Sequence, residues 1–176
     1  MTTTAPVVTA TQVYRVYIKA TADAIWTAIT DPEWTNRYGY GGYAHYDLQP
    51  GGALRVAPAE EMVKASAEMG YELPEVIIDG EILEVDAPRR LVTTWRMLMD
   101  PTTAAEPHST ITYEITELEG GVCRLTVMHE LPDSPATARL VTGIDEDQGM
   151  GGGGGHAWIL SDLKSLLETG KVMADR

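Results

Sequence analysis

Two periods of apolar residues alternate along this chain and divide it into strands and helices. Across residues 13–20, Tyr14, Val16, Ile18 and Ala20 alternate with Arg15, Tyr17 and Lys19, the two-residue period of a strand buried on one face. Thr21 then caps a short helix carrying Ile25, Trp26 and Ile29, and Asp31-Pro32-Glu33 supplies the cap, the first-turn proline and the acid of a second. Alternation returns over 43–48 and 53–57 on either side of Gln49-Pro50-Gly51-Gly52, which predicts an antiparallel hairpin. Between 58 and 70 the period becomes helical, with Met62, Ala65 and Met69 on one face of a short inserted helix. Four further stretches, 76–85, 91–99, 109–118 and 122–131, are separated by turn-rich sequence and complete a seven-stranded antiparallel meander. The link over 132–148 is acidic and rich in turn residues, and is expected to be mobile.

The last periodic stretch is the longest. Wound at about 100° per residue, Ile159, Leu160, Leu163, Leu166 and Leu167 fall on one arc, with Asp162, Lys164, Ser165 and Glu168 off it. Gly170 is a natural stop and the glycines ahead of His156 bar extension backwards, so a helix is predicted over 154–169. His156 projects near the middle of the leucine arc. Parity within the strands places Leu91, Trp95, Met97 and Met99 on one side, likewise Ile111, Tyr113 and Ile115, and likewise Cys123, Leu125, Val127 and His129. His129 therefore points inward with the core set. One helix cannot cover seven strands, so a groove or cavity is expected between them.

Composition narrows the partners. The chain has 176 residues, enough for one domain with a real core, and 44% of them are hydrophobic. With 13 basic and 26 acidic residues the formal charge is −13, the wrong sign for nucleic acid or an anionic membrane. The single cysteine, Cys123, offers no internal disulfide, and the four histidines are too scattered to suggest a metal site. Neither metal nor cofactor is expected. The opening MTTTAPVVTA has no charged or apolar leader pattern, and no run nears the roughly 18 apolar residues of a membrane span, so the chain reads as cytoplasmic. A loose G-x-G-x-x-G over 149–154 carries no weight. Polyglycine matches any such pattern, no strand leads into it, and Asp145, Glu146 and Asp147 would repel phosphate.

Four segments, in this order and spacing, are similar to a known family: VYIKATADAIWTAITDPE, GEILEVDAPRRLVTTW, LTVMHE and WILSDLKSLLETG. They resemble the START-like (SRPBCC, helix-grip) superfamily, and within it the bacterial homologues of the C-terminal domain of the heat-shock-protein ATPase activator. The resemblance covers about residues 13–170, leaving 1–12 as a flexible N-terminus and 171–176 as a tail. It implies an α+β helix-grip fold, with a curved seven-stranded antiparallel sheet wrapped around the long C-terminal helix and two short helices after strand one. It also implies an apolar pocket, as many members bind hydrophobic small molecules. The helix carrying Met62 and Met69 departs from the compact family pattern.

Three functions follow. The first is binding of a hydrophobic or amphipathic small molecule in the cavity, lined by His129, His156, Trp95, Met97, Met99, Tyr113, Tyr40, Tyr43, Ile159, Leu160 and Leu163. The second is an enzyme resembling polyketide cyclases and aromatases, with a pocket histidine as acid or base. Against it stands the lack of any readable Ser-His-Asp or paired-carboxylate arrangement. The third is a chaperone-associated stress protein, ranked last because the activator relies on a further N-terminal domain for which this chain has no room. Trp158, on the helix flank away from the leucines, is either a homodimer contact or simply a half-exposed ring.

Overall fold

The computed structural model describes residues 10–143 and 154–173. Most of the N-terminal stretch, the acidic and glycine-rich residues 144–153 and the last three residues lie outside them. Seven strands form one antiparallel sheet: β1 (Ala10–Ile18), β2 (Tyr43–Tyr46), β3 (Ala53–Ala57), β4 (Ile78–Asp86), β5 (Arg90–Met97), β6 (Ser109–Glu117) and β7 (Cys123–Leu131). Their order is β1-β7-β6-β5-β4-β3-β2, a meander from β2 to β7 whose far edge is closed by β1. The register aligns Gln12, His129, Ile111, Thr93 and Ile82 in one row across five strands. Because side chains alternate, this row and its neighbours two residues away share one face. That face carries the core: Ile18, Leu54, Ile82, Leu91, Ile111, Leu125, Val127 and Leu131 are all nearly or fully buried.

The helices are α1 (Ala22–Thr30), α2 (Pro32–Thr35), α3 (Glu60–Glu68), α4 (Pro101–Ala104), α5 (Pro135–Thr142) and α6 (Gly155–Thr169). The Thr21 hydroxyl accepts from the Ala24 amide and Asp31 from the Glu33 amide, so both expected caps close their helices. On α6, Leu160, Leu163 and Leu166 are buried, and Gly170 ends the helix in the left-handed conformation. The helix starts where it does because of Gly155. Its φ is +58°, and a Cβ there would lie 2.1 Å from the Val141 carbonyl oxygen, so only glycine lets α6 start against the end of α5.

Several expectations are corrected. The link after residue 131 begins with α5, eight residues entered by Pro135 with Ala138 and Val141 buried. A second short helix, α4, stands in the proline-rich link, capped by Asp100 through the Thr102 and Thr103 amides. On α3 the buried position is Ser66, whereas Met69 is 58% exposed. β5 ends at Met97, leaving Met99 beyond the strand. Asp162, off the leucine arc, is nonetheless buried.

The core divides into three clusters. The largest joins α1, α6, β1, β6 and β7; a second joins residues of β2 to β5; a small third holds Leu131, Ala138 and Val141. Trp95 packs against all three. No helix among the described residues is long and apolar enough to cross a membrane.

Candidate functional site

Strand parity turns His129 of β7 toward α6, and the first turn of α6 turns His156 toward the sheet. The two rings come from opposite elements, as the sequence predicts, but they do not face each other across open space. His129 Nδ1 lies 2.9 Å from His156 Nε2, with ring centroids 5.2 Å apart. His129 is 0% exposed and His156 is 9% exposed. The other nitrogen of His129, Nε2, lies 2.7 Å from Ser109 Oγ, which in turn donates to the Trp95 carbonyl oxygen at 2.9 Å. Trp95 meets His129 edge-on at 5.4 Å between centroids, and Tyr14 flanks His156 at 5.3 Å. Tyr14 is fixed by its hydroxyl, which donates to Gln12 Oε1 at 2.7 Å.

Burial dominates the electrostatics. It pushes the imidazole of His156 down to about 4. It pushes His129 down to about 3, and the positive charge that His156 would carry adds to the effect. Both rings are thus neutral at physiological pH. Tyr46 and Tyr113 are both half-buried, and each hydroxyl influences the other. Burial holds Tyr46 well above its usual range and pushes Tyr113 up to about 12.

The predicted residues separate into groups. His129 contacts both His156 and Trp95, in the chain His156–His129–Trp95. Leu160 and Leu163 are buried in the largest cluster, against which Trp95 packs, with Ile159 at its edge beside Gly39. Tyr113 bridges that cluster and the second one, which Met99 also touches. Met97, Tyr40 and Tyr43 are half-buried. Ser109 and Tyr14 were missed. Both were legible, since Ser109 shares the parity of Ile111 and Tyr113, and Tyr14 that of Val16 and Ile18. Two open depressions lie elsewhere: one of about 590 Å³ lined by Tyr71, Leu73, Pro74, Leu98 and neighbours, and one of about 370 Å³ around Arg55, Asp79 and His108. Among the described residues no group of three or more His, Cys, Asp or Glu side chains could hold a metal ion.

A family profile described as Activator of Hsp90 ATPase homolog 1-like protein matches residues 19–168. No curated protein matches the sequence. Among solved structures, CalU16 from Micromonospora echinospora is 24% identical, covering 76% of this chain and 68% of that chain, with a TM-score of 0.53. A protein from Bordetella parapertussis is 19% identical over 94% of this chain and 78% of that chain, with a TM-score of 0.63. An Hsp90 activator from Plasmodium falciparum is 17% identical over 77% of this chain and 88% of that chain, with a TM-score of 0.54. At these identities the likeness is one of fold.

Proposed function

This chain belongs to the Activator of Hsp90 ATPase homolog 1-like family, and we propose that it binds a hydrophobic or amphipathic small molecule between the sheet and α6. The observation that supports this reading is the seam between the two large core clusters. Trp26, Trp95 and Tyr113 pack against both clusters, yet all three keep accessible surface. Large rings that bridge two halves of a core without being sealed by either are the surface an apolar ligand needs. The histidine pair beside Trp95 supplies the polar end.

An acid/base enzyme is the weaker reading, for a quantitative reason. A general base works best with a pKa near the operating pH, and burial has pushed His156 down to about 4. The ring suits hydrogen bonding better than proton abstraction.

The test is a titration with a neutral naphthyl fluorophore, paired with native mass spectrometry of the freshly purified protein. Saturable binding that is weakened by Trp95→Ala, with the fold retained, is expected. Unsaturable uptake together with no co-purified molecule would overturn the reading.

A further inference from the structure

The hydrogen bonds through the buried histidines run in one direction, and the Trp95 carbonyl sets it. A carbonyl oxygen only accepts, so the single proton of the Ser109 hydroxyl is committed to Trp95 O at 2.9 Å. At the 2.7 Å contact with His129, Ser109 Oγ is therefore the acceptor and His129 Nε2 carries the proton. A neutral imidazole has one N–H, so His129 Nδ1 is bare and accepts from His156 Nε2–H at 2.9 Å. The same count leaves His156 Nδ1 bare. It is the one ring nitrogen of the pair without a hydrogen-bond partner among the described residues, in a residue 9% exposed.

Neutrality of both rings is what makes each step forced. Burial causes the shift at His156, and no carboxylate among the described residues offsets it on either ring.

We infer that the site takes a neutral ligand whose polar group is a hydrogen-bond donor, a hydroxyl or phenol bonded to His156 Nδ1, and rejects the matching carboxylate or ether. This rests on the binding function proposed above. A carboxylate would bring its lone pairs against the bare nitrogen, inside a protein of charge −13. An ether offers the same apolar body but has no proton to give.

The experiment has two arms. Long-range proton–nitrogen NMR of the free protein reads the tautomers directly, and both histidines should carry their proton on Nε2. At pH 7.5, 2-naphthol should bind about three- to tenfold tighter than 2-methoxynaphthalene, the worth of one neutral hydrogen bond. 2-Naphthoate should bind more weakly still. Ser109→Ala removes the acceptor that orients His129, and should erase the preference for naphthol over its ether. A proton on His156 Nδ1, or naphthoate bound as tightly as naphthol, would overturn the assignment alone. If none of the three probes binds, the binding function falls and this assignment falls with it, whatever the tautomers.

Discussion

Asp162 of α6 accepts a hydrogen bond from the Gly39 amide, 123 residues earlier in the chain, at a distance of 2.8 Å. Its other carboxylate oxygen accepts from the Met173 amide at 2.8 Å, so one buried side chain ties both the Tyr38–Gly42 turn and the C-terminal segment to the helix. Asp162→Ala leaves the two amides without an acceptor, at about 1–3 kcal/mol for each group that stays buried. Urea unfolding should show a loss of roughly 2–4 kcal/mol, with Asp162→Asn losing less because one acceptor oxygen remains. A loss below about 0.5 kcal/mol, the size of an ordinary surface change, would mean that water replaces the carboxylate freely.

Leu163 is 1% exposed at the centre of the leucine arc. Leu163→Ala should cost about 2–5 kcal/mol, the sum of lost transfer energy and residual cavity. Denaturant midpoints compared with an exposed α6 control, Ser161→Ala, check this. Equal midpoints would mean that α6 is not docked through this arc.

The strands and α6 were legible because their periods run long enough to be counted, and the inward turn of His129 and His156 followed from parity and helical angle. What was illegible is informative. α5 is eight residues long, too short for a helical period to stand out beside its turn-forming neighbours. Its first turn is held from a distance, since Glu106 accepts from the Ala136 and Thr137 amides and the Thr137 hydroxyl. Asp162 looked like a solvent residue because a helical wheel knows nothing of a turn arriving from residue 39. The direct contact of the two imidazoles was equally hidden. Parity gives the wall a ring stands on, and the spacing between walls is set by packing.

Glu106 therefore yields a prediction of its own. Glu106→Ala removes three hydrogen bonds from the start of α5, the helix that carries Ala138 and Val141 into the cluster beside Trp95. Amide exchange of Thr137 and Ala138 should speed up markedly while β6 and β7 keep their protection. Uniform acceleration across the sheet would instead make Glu106 part of the global folding unit.

β1 lies at an edge of the sheet, and α6 guards it. Lys164 Nζ donates to the Tyr17 carbonyl at 2.6 Å, and Glu168 accepts from the Lys19 amide at 2.8 Å. The two side chains also pair with each other at 2.7 Å, and this contact, with the Lys19 amide, holds the Glu168 carboxyl below its usual range. Val13 and Tyr17 stand 45% and 51% exposed beside this edge. Replacing both Lys164 and Glu168 by alanine should change stability by less than about 1 kcal/mol, since the pair is on the surface. It should, however, promote concentration-dependent self-association by baring strand donors and acceptors. Light scattering that stays monomeric over a wide concentration range would show that the guard is dispensable.

The histidine pair should give the protein an acid sensitivity that begins well above the carboxylate range. Unfolded, both imidazoles titrate near about 6.5; folded, burial holds His156 down to about 4 and His129 to about 3. Above about pH 6.5 neither state binds a proton there, and the pair contributes no pH dependence. As the pH falls below that value the unfolded chain takes up protons that the folded one refuses, so stability falls until the folded rings titrate as well. Each ring contributes at most about 1.4 kcal/mol per pH unit, so the two together lose up to about 4 kcal/mol between roughly pH 6.5 and 4.5. Asp79 and Glu168, both held below their usual ranges, add an acid loss of the same sign, but at lower pH. Urea midpoints measured from pH 7.5 to 4.5 for the wild type and for the double variant His129→Leu/His156→Leu separate the two contributions. The wild type should lose stability steeply where the variant stays nearly flat. Parallel curves through that window would mean that the rings are solvated when folded, and that the one-way hydrogen-bond chain through them does not exist.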